Sequence, residues 1–226
     1  MFWYFNPLTM QQIRSCSAVM RQDQNIKIMT VIDNGNRRRD EYWMLKALEL
    51  AEKALDRDDF PVGCVLVMDN EIVGAGARIH TRSGDENELD HAEMVALRDW
   101  ISRRGAAGLG DDAVVTVYCS LEPCLMCLGA LILNGIKRIV YAYEDVMGGA
   151  AGIDFSNPIT GCGKNTDPAG PGQQGCLYHD GCVDIVGGVL RDESLALFRE
   201  YFLNTGQSYW KDSLLCRYTL DASCNH

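Results

Sequence analysis

The sequence predicts a layered α/β domain with helices on both faces of its sheet, and three observations lead there. Helical and strand-like apolar periods alternate from about residue 42 to residue 202. One segment, Phe60-Pro-Val-Gly-Cys-Val-Leu-Val-Met68, is a nearly unbroken apolar run, as a strand buried on both faces requires. The chain has 226 residues, enough to bury a core without disulfide staples.

Taken in order, residues 1–39 show no sustained period and end in Arg37-Arg-Arg39, so a loose extension is expected, with Met29 as an alternative start. From Tyr42, Leu45, Leu48, Ala51 and Leu55 recur at helical spacing, with Asp40 as the expected cap. The apolar run after Phe60 is the first strand, Asp69-Asn70 a turn, and Glu71 to Ile79 its partner strand. A polar loop from His80 to Leu89 leads into a second helix, His91 to about Arg103. Val114 to Cys119 reads as a third strand and Leu125 to Leu133 as a helix closed by Asn134-Gly135. Lys137 to Tyr143 is a fourth strand. Residues 147–181 are rich in Gly, Pro, Asn and Asp and read as a long loop; it and its margin carry Cys162, Cys176, His179 and Cys182. Val183 to Leu190 is a candidate fifth strand and Asp192 to Phe202 a closing amphipathic helix. The expected organisation is thus an extension at 1–39, one domain at 40–205 and a tail at 206–226.

Charge narrows the partners. The chain has 21 basic and 31 acidic residues, net −10. The first 39 residues hold six basic and two acidic, which leaves 15 against 29, or −14, for the rest. Such a body repels polyanions, so general nucleic-acid binding is disfavoured. No uncharged apolar run approaches the ~18 residues of a membrane span. No secretory signal is evident, and the close pair Cys124/Cys127 reads more readily as metal ligation in a reducing compartment than as a disulfide, so a cytoplasmic protein is expected.

Two short elements carry the chemistry: His91-Ala-Glu93 at the start of the second helix, and Pro123-Cys-Leu-Met-Cys127 at the start of the third. Three residues apart on a helix, Cys124 and Cys127 share a face, so both sulfurs can reach one ion. Two thiolates and the His91 imidazole would leave the fourth tetrahedral position of Zn²⁺ open to water, the mark of a catalytic site. Glu93, two residues beyond His91, is placed to take a proton from that water. A lone Cys-x-x-Cys reads equally well as a structural knuckle; it is the pairing with His-x-Glu, in this order, that points to catalysis.

These segments, together with Tyr118-Cys-Ser-Leu-Glu-Pro-Cys-Leu-Met-Cys127 and Asp145-Val-Met-Gly-Gly-Ala-Ala-Gly152, resemble the cytidine/deoxycytidylate deaminase superfamily, nearest to tRNA adenosine deaminase-like nucleoside deaminases. The resemblance runs from about Tyr42 to Phe202. It implies a three-layer α/β/α sandwich around a mixed five-stranded sheet, and Zn²⁺ held by His91, Cys124 and Cys127. It also implies Glu93 as proton shuttle, a water held in part by the Cys124 N–H, and a homodimer. The implied reaction is hydrolytic: zinc hydroxide adds to the amidine carbon of a base, and ammonia leaves. The nearest relatives suggest adenosine in tRNA; a free base or nucleoside of guanine, cytosine or adenine type, or an inactive zinc scaffold, are the alternatives.

The sequence also departs from the family pattern. Arg78 stands where an Asn usually contacts the base, so Arg78 is a candidate substrate contact, as is Asp145. Asp90 replaces a small residue and is expected to cap the second helix. Cys162, Cys176, His179 and Cys182 could form a second zinc site, although their spacing fits no defined motif. Tyr209 and Trp210 are expected to pack as part of the tail rather than to stack a base.

Overall fold

The computed structural model describes residues 34–82, 84, 86–104, 114–153, 183–204 and 208–221. Their elements are α1 (Asn34–Leu55), β1 (Gly63–Met68), β2 (Glu71–Ala77), α2 (Ala92–Arg104), β3 (Thr116–Leu121), α3 (Leu125–Leu133), β4 (Arg138–Tyr143), β5 (Asp184–Val186), α4 (Arg191–Leu203) and α5 (Leu214–Asp221). The sheet order is β2-β1-β3-β4-β5. β1 runs antiparallel to both β2 and β3, whereas β3, β4 and β5 run parallel, so the sheet is mixed and five-stranded.

Period-two alternation sorts the strands' side chains onto two faces. Cys64 and Leu66 of β1, with Val117 and Cys119 of β3 and Ile139 and Tyr143 of β4, pack under α2 and α3. Val65, Val67, Tyr118, Val140 and Ala142 point the other way, beneath Trp43, Met44, Ala47 and Leu48 of α1. Both faces of β1, β3 and β4 are therefore buried, which is why these strands read as continuous apolar runs. α4 adds Phe198 and Tyr201 around Phe60, whose ring meets each edge-on at 5.2 Å.

α1 begins at Asn34, earlier than the apolar period suggested. Its exposed first turns are polar, held in part by Arg37 Nε donating to Glu41 at 3.0 Å, and carry no apolar stripe to read. Asp40 is consequently not a cap: it lies inside the helix, 4% exposed. Tyr118 Oη donates to its Oδ1 at 2.9 Å, and Arg138 grips both oxygens at 2.9 and 2.8 Å, tying α1 to β3 and β4.

Close approach of the helices to the sheet depends on glycine. A Cβ on Gly76 would stand 2.4 Å from the Ala92 carbonyl oxygen, and one on Gly63 would stand 2.0 Å from that of Ala47. The bare backbone of β2 thus lets the first turn of α2 lie directly on the sheet, and that turn carries the site. β5 is only three residues long, shorter than the expected fifth strand, and the tail forms α5 with Leu215 and Cys216 buried. Residues 1–33 and the Cys162, Cys176, His179 and Cys182 group lie outside the described residues.

Candidate active site

The site forms where α2 and α3 begin. α2 follows the β1–β2 hairpin and presents His91 just ahead of its first residue and Glu93 in its first turn. α3 follows β3, with Cys124 as its extended N-cap residue and Cys127 within its first turn. The His91 Nδ1 stands 3.6 Å from Cys124 Sγ and 3.5 Å from Cys127 Sγ. All three ligand atoms lie within 4.8 Å of one another, and among the described residues this is the group able to hold a metal. The three residues predicted as ligands therefore converge, and two soft sulfurs with one imidazole suit Zn²⁺.

Electrostatics prepare the site for a cation. A hydrogen bond from the Cys127 thiol, supported by His91, holds Cys124 down to about 4. The same contact, with burial, pushes Cys127 up. Burial alone would lower His91, but its hydrogen bond to Cys124 and the charge of Glu93 prevail and raise it. Glu93 is 3% exposed, and burial raises its carboxyl above the ordinary glutamate value. A carboxyl tuned upward beside a metal group is fitted to hold and release protons.

His91, Glu93 and Cys124 line a cavity of about 80 Å³. Its walls also include Arg78, Asp145 and Met147, with Tyr209 and Trp210 from the segment before α5. The structure thus brings both candidate substrate contacts to the same cavity. Asp145 is positioned by its own turn: its Oδ1 accepts from the Met147 and Gly148 N–H groups, each at 3.0 Å, while burial raises its carboxyl. Arg78 is 2% exposed and donates to the Asn87 carbonyl at 3.0 Å, to Glu88 Oε2 at 3.1 Å and to Tyr209 Oη at 3.0 Å. Asp90 does not line this cavity; its oxygens are taken by His80, Asn87 and Arg98, a knot that fixes the loop entering α2.

Three residues of the cavity wall were not assigned from the sequence. Glu122 Oε2 accepts from the Asp145 N–H at 3.2 Å and Oε1 from the Ala151 N–H at 2.9 Å, pinning the loop that carries Asp145. The adjacent Cys124 forms a bridge to Gly149 in that loop. Its position just ahead of Pro123-Cys124 was the available signal. Glu88 Oε2 meets Arg78, accepts from Tyr209 Oη at 2.9 Å and lies 3.7 Å from His91 Nε2. Tyr209 joins the wall from 131 residues beyond Arg78, a distance no local pattern encodes.

Residues 37–143 of this chain match the family model described as the cytidine and deoxycytidylate deaminase zinc-binding region. The chain therefore has the resemblance its motifs predict, on the expected α/β fold. Among curated proteins it is 36% identical over 113 residues to tRNA-specific adenosine deaminase 2 of Xenopus tropicalis, covering 49% of this chain and 65% of that protein. It is 39% identical over 111 residues to tRNA-specific adenosine deaminase of Streptococcus pyogenes serotype M18 (strain MGAS8232), covering 48% and 66%. The match thus spans just under two thirds of these relatives. Among solved structures, one from a study of A-to-I editing by tRNA:A34 deaminases at the wobble position of transfer RNA superposes with TM-score 0.52 at 27% identity, covering 69% of this chain and 98% of that one. A variant of NE0047 in complex with 8-azaguanine gives TM-score 0.52 at 25% identity, covering 72% and 83%.

Proposed function

We propose that the chain is a zinc-dependent hydrolytic deaminase acting on the exocyclic amine of a nucleobase. The observation that carries this reading is the convergence of His91, Cys124 and Cys127 beside the buried carboxyl of Glu93, at the wall of one cavity. His91, Cys124 and Cys127 would hold the ion. When bound, zinc supplies a Lewis acid that makes water nucleophilic near neutral pH. Glu93 takes a proton from the attacking water, delivers it to the ring nitrogen beside the amidine carbon and passes a proton to the departing amine. Base and water become an oxo base and ammonia. Arg78 and Asp145 orient the base.

The substrate reading we favour is a free base or nucleoside. Tyr209 and Trp210 wall a cavity of only about 80 Å³, and the −14 body opposes a polyanion. Adenosine in tRNA is the second reading, supported by the names of the curated relatives. We also propose a homodimer, since α3 leaves Leu125 and Leu133 more than half exposed on a short, wholly apolar helix. A cytoplasmic setting accords with free thiols at all five described cysteines. Among the described residues no helix is long and apolar enough to cross a membrane.

The test is ammonia release by the zinc-loaded protein from adenine, guanine and cytosine compounds and from an anticodon stem-loop RNA. Glu93→Ala should lower turnover by about 10²–10⁴-fold with zinc still bound; a retained rate would remove Glu93 from its assigned role.

A further inference from the structure

One carboxylate oxygen on the cavity wall meets a cation, a hydroxyl and a metal-group imidazole at once. Glu88 Oε2 accepts from Arg78 Nη2 at 3.1 Å and from Tyr209 Oη at 2.9 Å, and it lies 3.7 Å from His91 Nε2. The last distance is an ion-pair separation rather than a hydrogen bond. It still shows which edge of the imidazole faces which neighbour. Nδ1 is turned to the sulfurs of Cys124 and Cys127, at 3.6 and 3.5 Å, and Nε2 to Glu88. The neutral tautomer that offers Nδ1 to a metal carries its proton on Nε2, the side that a carboxylate steadies.

We infer that Glu88 is a positioning residue of the metal group: it braces the Nε2 edge of His91 and screens the zinc site from the buried charge of Arg78. The inference rests on the zinc reading of the site and not on any substrate. Arg78 is 2% exposed, so water does little to weaken its field. Unopposed, that cation would act against a dication held by His91 and the two cysteines. Glu88 Oε2 is in contact with both the guanidinium and the imidazole, so its charge offsets the cation at the place where the offset matters. The Glu88 side chain is 59% exposed, and a carboxylate so placed ordinarily contributes little, because it moves and is screened. Here Arg78 and Tyr209 hold the oxygen that faces His91. Tyr209 is itself secured, since its hydroxyl accepts from Arg78 at 3.0 Å and its ring lies 5.7 Å from the guanidinium carbon. The segment before α5 therefore reaches the metal group through Glu88, without touching it.

The test reads zinc affinity of the full chain by competition with a chromogenic chelator, beside urea unfolding of the zinc-free protein. Glu88→Gln keeps an oxygen for Arg78 and Tyr209 but removes the charge, and should weaken zinc by about tenfold to a hundredfold. Adding Arg78→Gln to that variant removes the cation left unscreened and should recover most of the loss. Glu88→Asp, which keeps the charge one methylene shorter, should hold zinc more tightly than Glu88→Gln. A merely structural Glu88 would lower zinc-free stability in Glu88→Gln and leave the zinc affinity of the folded protein unchanged, which overturns the inference. A double variant that binds zinc no better than Glu88→Gln also overturns it. Should the double variant fail to fold, Glu88→Asp decides, and a loss equal to that of Glu88→Gln overturns the inference. Zinc affinity that follows this order in a chain that releases no ammonia from any base would overturn the proposed reaction and leave the role of Glu88 standing.

Discussion

A carboxylate can shape a cavity through the backbone it holds, and Glu122 is such a residue. Its two oxygens take the N–H groups of Asp145 and Ala151, so it holds both ends of the turn that lines the cavity. Glu122→Gln turns one oxygen into a donor facing an N–H, which should cost about 1–3 kcal/mol of stability. Steady-state kinetics should show KM rising several-fold with kcat nearly unchanged, because the turn, not the metal group, has loosened. The convergence of His91, Cys124 and Cys127 was legible in the sequence because each half is local: Glu93 follows His91 by two positions, Cys127 follows Cys124 by three, and a helix turn converts such spacing into a shared direction. The Arg78–Glu88–Tyr209 contacts were not legible. Arg78 could be singled out as a departure from a family pattern, but its partners are fixed by a tail whose approach depends on packing.

Among the elements, the C-terminal helices show how charge ties a late segment to the sheet. Arg191, the first residue of α4, grips Glu144 just beyond β4: Nε donates at 2.8 Å and Nη2 bonds the other oxygen. Tyr218 of α5 donates to the same carboxylate at 2.6 Å. Burial opposes the charge of Glu144, but Arg191 and Tyr218 prevail and hold its carboxyl below the ordinary range. A carboxyl lowered by folding contributes stability that is complete above its unfolded value of about 4.3 and is lost as pH falls through the lowered folded value. Glu144→Gln should therefore cost about 1–3 kcal/mol in urea unfolding at pH 7, with the gap to the parent chain closing as pH falls through the lowered folded value. The elements were read well where burial is two-sided, as in β1, β3 and β4. They were read poorly at the start of α1, where an exposed polar turn has no stripe, and at β5, where Gly187 and Gly188 follow three strand residues.

For the molecule as a whole, the opposing properties are an acidic surface and an apolar patch at α3. Leu133→Glu should leave the fold intact, since that side chain is 56% exposed, and should shift a dimer to monomer in sedimentation velocity. An unchanged sedimentation coefficient would place the partner surface elsewhere. Composition revealed the class of molecule and its charge, but not the place of the tail on the cavity wall, because that pairing joins residues 131 positions apart. The proposed ligands also come from separate halves of the fold: His91 arrives with the β1–β2 hairpin and α2, and both cysteines arrive with the β3–α3–β4 crossover. Neither half can assemble the donor set alone, so an ion there acts as a rivet between two independently connected subassemblies. Its binding energy is then adhesion between them as well as chemistry. Chelation should lower unfolding stability by about 2.7 kcal/mol relative to protein held at free zinc a hundredfold above Kd. Hydrogen exchange should show that loss concentrated along the β1–β3 seam, where the two halves of the sheet meet.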